Sequence, residues 1–206
     1  MSTLLWKAAM AVSGLGMALW LTLHMLGNLL VFAGPAVMNG YAEKLRETGL
    51  LWPMRVLLVG ALVVHVVSAL VTTRRAHAAR TTGYRVRLHG RARSWAGRSM
   101  RVGGVLLLGF LAYHVAQIYG VGHPDFVPGD VHHNLLAVVK VPWHALAYLV
   151  ATALLALHLA HGLASAWISL GVIAQRRERL VKRALRGWAW AVTIGFAVTT
   201  LWPVVA

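Results

Sequence analysis

Four histidines lie inside long apolar segments of this 206-residue chain, and imidazole is a side chain well suited to binding a metal ion. They are His24, His65, His114 and His161. An ionisable group is costly within the hydrocarbon of a membrane, so its presence there indicates a function. One histidine on each of four successive segments predicts two bis-histidine metal centres stacked across a bilayer. That arrangement points to electron transfer through haem.

The composition is that of a membrane protein. Hydrophobic residues make up 59% of the chain and charged residues only 12%. The net charge of +15 is concentrated in two connecting loops, so it predicts membrane topology and not a nucleic-acid partner. The chain has no cysteine, which excludes a thioether-attached haem and any iron–sulfur cluster ligated by this chain alone.

The apolar runs predict an all-α integral membrane bundle of five transmembrane helices, forming a single domain over residues 1–206. Each run has the roughly 20 residues needed to cross a hydrocarbon core of about 30 Å. The predicted helices span about residues 6–33, 51–73, 99–121, 142–174 and 184–202. Between the first two, residues 39–48 predict a short amphipathic helix lying at a membrane surface.

The distribution of charge predicts the orientation of the bundle. Nine arginines occur in residues 74–101, and six basic residues occur in residues 176–186. Four of the five acidic residues fall in the loops on the other side. Because cytoplasmic loops carry an excess of lysine and arginine, the N-terminus is expected in the cytoplasm and the C-terminus outside.

The depth of each histidine along its helix sorts the four into two pairs. A helix rises about 1.5 Å per residue, so depth follows from sequence position. His24 and His114 fall in the outer half of the membrane, whereas His65 and His161 fall in the inner half. The expected pairs are therefore His24 with His114 and His65 with His161.

Two further assignments concern the inner half. His158 lies one turn from His161 on a similar face, and either could be the ligand on the fourth helix. His161 is favoured for its inner depth and for the adjacent Gly162, which leaves His158 as a packing or hydrogen-bonding residue. Arg98 and Arg101 begin the third helix at its inner end, where guanidinium groups could pair with haem propionates.

The order of several motifs resembles the five-helix, di-haem cytochrome b anchor subunit of succinate dehydrogenase and quinol:fumarate reductase. The resemblance covers nearly the whole chain and rests on the order and spacing of the motifs, not on any one of them. In chain order, the matching pieces are GLGMALWLTLHMLGN, NGYAEKLRETGLLWPMR, VVHVVSAL, RSMRVGG, FLAYH, DVHHN and LHLAHGLASAW.

The resemblance implies a non-catalytic, electron-transferring anchor subunit of respiratory complex II in the tricarboxylic acid cycle. A flavoprotein and an iron–sulfur subunit would bind on the cytoplasmic side of the inner membrane, and this chain alone would not oxidise succinate. Carried over position by position, His65 and His161 would bind the iron of the proximal haem b. His24 and His114 would bind the iron of the distal haem b.

The resemblance also implies a quinone substrate, menaquinone in particular, near the distal haem and an acidic residue. Glu43 and Glu47 on the amphipathic segment are the candidates, because partial burial could raise the pKa of a carboxyl there enough for proton transfer. The alternative is that both are solvated partners of Lys44 and Arg46.

The sequence is also compatible with three other functions. The same anchor could belong to a quinol:fumarate reductase, since the direction depends on cofactor potentials and partners. The chain could also be the haem-b subunit of another membrane oxidoreductase, such as a hydrogenase or formate dehydrogenase. A different class is a haem-free membrane transporter or assembly protein, although no acid or lysine lies in the interior of the predicted membrane segments.

Overall fold

A computed structural model gives the fold of the chain. It describes residues 2–79, 95–123, 125–172 and 178–205, with the side chains of 95–98 and 205 left out of that description. Within those ranges every regular element is helical. Residues 80–94 of the first arginine-rich segment and residues 176–177 of the second therefore lie outside the described residues, and so does the side chain of Arg98.

Five of the helices are long and apolar enough to cross a membrane, so the chain is an all-α, multi-pass membrane protein, as the sequence predicts. The described helices are α1 (Thr3–Leu29), α2 (Pro35–Glu47), α3 (Leu51–Ala78), α4 (Trp95–Ile118), α5 (Val131–Lys140), α6 (Pro142–Ser169) and α7 (Glu178–Val205). The five that could cross a membrane are α1, α3, α4, α6 and α7, and a 3₁₀ segment, Leu30–Ala33, extends α1.

Glycine ends two membrane helices earlier than hydropathy predicts. The sequence extends the third helix to residue 121 and the fourth to residue 174, but α4 and α6 end at Ile118 and Ser169. Gly120 and Gly171 follow with φ of +81° and +70°, a left-handed conformation that glycine adopts without the steric cost of a Cβ. Apolar residues continue beyond both glycines, so periodicity alone does not reveal these ends.

At other ends the helices are longer than predicted. α3 continues past residue 73 to Ala78, α4 starts at Trp95 instead of residue 99, and α7 spans Glu178–Val205 instead of 184–202. The residues added to the end of α3 and to the start of α7 are rich in charge, and the first turns of α7 carry an ion pair between Glu178 and Lys182 at helical spacing. Hydropathy marks the part of a helix within lipid, whereas the helix itself extends further.

Two short helices occupy the connections on the less basic side. The amphipathic helix α2 begins at Pro35, four residues before the predicted start at residue 39, directly after Gly34 with φ +90°. The sequence did not predict α5. Its signal was available, since Asp130 precedes an apolar-periodic run and caps it by accepting a hydrogen bond of 2.9 Å from the His133 backbone N–H.

The side chain of Asn39 joins α2 to α5. Its Nδ2 donates to Asp130 Oδ1 at 2.9 Å, and its Oδ1 accepts from the His132 backbone N–H at 3.0 Å. The backbone N–H of His133, and then Asn39, hold the pKa of Asp130 below its usual value. Because both groups favour the charged carboxylate, the contact between α2 and α5 is a charge-assisted one.

The membrane helices pack around α1 and α6. α3 lies antiparallel along α1, and α6 packs against α1, α4 and α7. Ala18 of α1, Ala189 of α7 and two leucines of α6, Leu159 and Leu163, form the buried centre. In the described part of the chain, α4 is not packed closely on α1, and α6 is not packed closely on α3.

Gly195→Ala is expected to destabilise the fold because α1 and α7 approach closely there. A Cβ on Gly195 would lie 2.5 Å from Met25 Sδ and 2.8 Å from Met25 Cγ, so a buried side chain would have to move. Overpacking of this kind costs about 1–3 kcal/mol. Gly187→Ala on the same helix is the matched control, since nothing lies within 4 Å of its Cβ position. Unfolding curves in detergent measure both variants, and equal midpoints would contradict the prediction.

Candidate metal centres

Two pairs of histidines on different membrane helices have their rings close together. The ring centres of His24 on α1 and His114 on α4 are 5.9 Å apart. Those of His65 on α3 and His158 on α6 are 6.3 Å apart. The first pair is the one predicted from depth, and the second differs from the prediction in its α6 member.

Both separations suit a single metal ion between two imidazoles. Nitrogen–metal bonds of about 2 Å to one nitrogen of each ring would place the ring centres roughly 6–6.5 Å apart. Direct hydrogen bonding between the rings would bring them closer, and neither pair has such a bond among the described contacts.

The α6 histidine whose ring lies against His65 is His158, whereas the sequence favours His161. The two side chains are three residues apart, which rotates them by about 60° around the helix axis. Leu159 and Leu163 pack into the buried centre, and this rotation of α6 brings His158 to His65 while His161 is exposed. Ligation by either histidine stays a prediction, but only His158 is in place to share a ligand with His65.

The surroundings of His65 fix which nitrogen carries its proton. Its Nδ1 donates to the Met10 carbonyl at 3.0 Å, and a carbonyl can only accept. In a neutral imidazole the lone pair is then on Nε2, the arrangement common for metal-binding histidines. This approach to α1 depends on Gly14, whose Cβ position lies 3.1 Å from His65 Cε1.

Two buried polar atoms in the described part of the chain have no hydrogen-bond partner, and one belongs to this pair. They are His158 Nδ1 and Ser68 Oγ, and Ser68 lies one turn beyond His65 on α3. An unpaired polar atom in an apolar interior is costly, so it needs an explanation. The His158 ring also lies against Gly104 of α4, whose Cβ position is 3.7 Å from Cε1.

Aromatic side chains surround the other pair. Trp20 stacks on His24 with ring centres 4.8 Å apart and planes 18° apart, and Phe196 of α7 lies 5.8 Å away. Phe110 stacks on His114 at 5.9 Å and 15°. These rings keep water away from the two imidazoles.

Tyr148 on α6 is a site residue that sequence reasoning missed. Its hydroxyl lies 2.9 Å from His114 Nδ1 and donates to Gln117 Oε1 at 3.0 Å. Since its own hydrogen points to Gln117, Tyr148 accepts from His114 Nδ1–H. Both His65 and His114 therefore use Nδ1–H in a hydrogen bond and keep Nε2 as the basic nitrogen.

The donor set fits haem better than an ion bound by protein alone. Among the described residues no group of three or more histidine, cysteine, aspartate or glutamate side chains could hold a metal ion. Structural and catalytic zinc sites need three or four protein ligands. A haem would bring four nitrogen ligands of its own to the iron, so the two imidazoles of one pair would be enough to hold it.

The two pairs lie at different depths. α1 passes both of them, with Gly14 against His65 and His24 against His114. The ten residues between these positions correspond to about 15 Å along the helix axis. Two histidine pairs separated by this distance would both fit within a hydrocarbon core of about 30 Å.

The predicted propionate partners are not seen at a histidine pair. Arg101 is exposed, and its Nη1 lies 3.0 Å from His77 Nε2 at the end of α3. The side chain of Arg98 lies outside the described residues. Their predicted role in binding propionates stays a prediction.

Glu43 and Glu47 are both exposed on α2. The described residues of this chain therefore bury neither carboxyl, and the partial burial that proton transfer beside a quinone would need stays a prediction for both. Their predicted role in quinone binding has no support from their position.

The facing histidine pairs are the strongest functional signal in the chain, because they combine donor type, spacing, tautomer and depth. Comparisons with protein-family models, with curated protein sequences and with solved structures find no match to this chain.

Proposed function

We propose that the chain is the membrane-anchor cytochrome b subunit of a succinate:quinone oxidoreductase, with two haem b groups. His24 and His114 hold one haem, and His65 and His158 hold the other. The observation that carries the proposal is that two pairs of imidazoles face each other, at two depths about 15 Å apart along α1.

The residues of the chain bind, orient and insulate the two centres. Haem supplies reversible one-electron transfer when it is bound. The Met10 carbonyl and the Tyr148 hydroxyl orient His65 and His114, so that each presents a basic Nε2. Stacked aromatic rings around His24 and His114 exclude water, which lowers the local dielectric and influences the redox potential.

The order of motifs along the chain supports the assignment to succinate:quinone oxidoreductases. In that assignment a flavoprotein and an iron–sulfur subunit bind the arginine-rich end, which faces the cytoplasm, and quinone, menaquinone in particular, is reduced near the other end. The chain resides in the inner membrane, and it conducts electrons without oxidising succinate itself. The same anchor would serve a quinol:fumarate reductase if electrons moved in the opposite direction. The potentials of the cofactors and partners decide that direction.

Haem content of the purified full chain tests the proposal. We expect two b-type haems per chain by pyridine-haemochrome quantitation, with a reduced-minus-oxidised spectrum of six-coordinate haem. One haem per chain would make one histidine pair structural, and none would contradict the proposal.

The identity of the partner complex needs a second measurement. The tagged chain, isolated from its native membrane, is expected to carry succinate-dependent quinone reductase activity. Hydrogen- or formate-dependent activity in its place would reassign the chain to another membrane oxidoreductase.

A further inference from the structure

A continuous series of hydrogen bonds leads away from His114 between α4 and α6. His114 Nδ1 lies 2.9 Å from the Tyr148 hydroxyl, which donates to Gln117 Oε1 at 3.0 Å. Gln117 Nε2 in turn donates to the Tyr113 hydroxyl at 2.9 Å and to His144 Nδ1 at 3.1 Å. The Tyr113 hydroxyl also contacts His144 Nδ1, so the series ends there.

All the donors in this series point the same way. His114 donates to Tyr148, Tyr148 donates to Gln117, and Gln117 donates onward, with His144 Nδ1 as the final acceptor. Hydrogen bonds aligned in this manner polarise one another and strengthen the whole series. Reversing one member requires the others to reverse as well.

Gln117 controls this direction. Its side chain is 2% exposed, and its amide has an acceptor oxygen on one side and a donor nitrogen on the other. If the amide turned over, its nitrogen would donate to Tyr148, and Tyr148 would donate to His114 Nδ1. The proton of a neutral His114 would then sit on Nε2, and the nitrogen needed for a metal would be lost.

We propose that Tyr148 and Gln117 are positioning residues that hold His114 as its Nδ1–H tautomer and thereby set the donor strength of the imidazole at this centre. The inference rests on the proposed function in one respect, which is that His114 binds haem iron. Neither residue touches the metal position; both act through His114.

The other pair provides an internal comparison. His65 donates its Nδ1–H to the backbone carbonyl of Met10, which no side-chain substitution removes. A change in the Tyr148–Gln117 series should therefore alter one haem and leave the other as it was.

Redox titration of the purified holo-protein tests the proposal through Tyr148→Phe and Gln117→Leu. Tyr148→Phe removes the acceptor of the His114 Nδ1–H, and Gln117→Leu removes the acceptor of the Tyr148 hydroxyl. Either change weakens the polarisation of the Nδ1–H bond, so His114 stabilises the oxidised iron less and the reduction potential rises. We expect the one-electron equilibrium of one haem to shift between about threefold and tenfold, the latter being about 59 mV. The second haem should keep its potential.

Tyr113→Phe is the matched control, since it removes a hydroxyl from the same series by the same chemical change. Gln117 Nε2 still reaches His144 Nδ1 in that variant, so the shift should be clearly smaller than with Tyr148→Phe. Unchanged potentials in Tyr148→Phe would overturn the proposal, and so would equal shifts of both haems, which indicate a general structural change.

A measurement without haem separates this inference from the proposed function. Nitrogen-15 NMR of the histidine-labelled full chain reads the tautomer of His114 directly. We expect Nδ1–H in the wild-type chain and a shift towards Nε2–H in Tyr148→Phe, and Nε2–H in the wild type would overturn the inference. A wild-type chain that binds no haem but shows Nδ1–H at His114 would contradict the proposed function alone.

Discussion

His65→Ala and His158→Ala are each expected to remove one of two six-coordinate haems, whereas His161→Ala leaves both in place. The first two histidines have ring centres 6.3 Å apart, a distance that suits one metal ion between them. Without one imidazole, the haem either leaves the chain or becomes five-coordinate. In both cases the low-spin signal in electron paramagnetic resonance falls to about half of the wild-type value per chain.

His161→Ala is the matched control, because it is the same substitution one turn further along α6. His161 is exposed, so its removal deletes no buried contact. Two low-spin haems in His158→Ala and one in His161→Ala would contradict this assignment. The partner of His65 would then be His161, which depth along the helix favours.

The sequence predicts the pairing of His24 with His114 that the structure shows, but it does not choose correctly which histidine of α6 lies against His65, His158 or His161. Both lie in one apolar helix, and their depths differ by only about 4.5 Å. The choice is made by the rotation of α6 about its own axis. That rotation follows from the packing of Leu159 and Leu163 into the centre of the bundle, which hydropathy in a fully apolar helix does not reveal.

The hydrogen bonds around His114 show a second limit of sequence reasoning. Gln117 and His114 lie on one stripe of α4, so their proximity follows from helical spacing. Tyr148 and His144 belong to α6, and their position opposite Gln117 depends on the register between two helices. A pattern within one helix carries no information on that register.

Small residues on α1 illustrate the same limit. At three- and four-residue steps, Ser13 and Gly16 lie on the same face of α1 as His24, and small residues on that face predict space for a flat macrocycle. In the structure the Ser13 hydroxyl bonds to the backbone of its own helix at 2.7 Å, and nothing lies within 4 Å of the Gly16 Cβ position. On α1 it is instead Gly14, outside this face, that lies against a histidine, His65.

Gly14→Ala is expected to weaken haem binding at the His65–His158 pair by about ten- to hundredfold, the usual effect of disturbing a group that orients a metal ligand. A Cβ at this position would lie 3.1 Å from His65 Cε1 and 3.2 Å from Nδ1. The ring would have to move by a few tenths of an ångström. That movement lengthens the 3.0 Å hydrogen bond from Nδ1 to the Met10 carbonyl, which fixes the tautomer.

Gly16→Ala separates this contact from the general effect of alanine in a helix. Both substitutions raise helix propensity by the same amount, about 1 kcal/mol, and both lie in the same membrane helix. Only Gly14 has a histidine against it, so haem titration of the two variants isolates the steric effect on His65. Equal haem affinities in the two variants would show that the approach of His65 to α1 does not control the centre, and the orienting role of the Met10 carbonyl would then have to be abandoned.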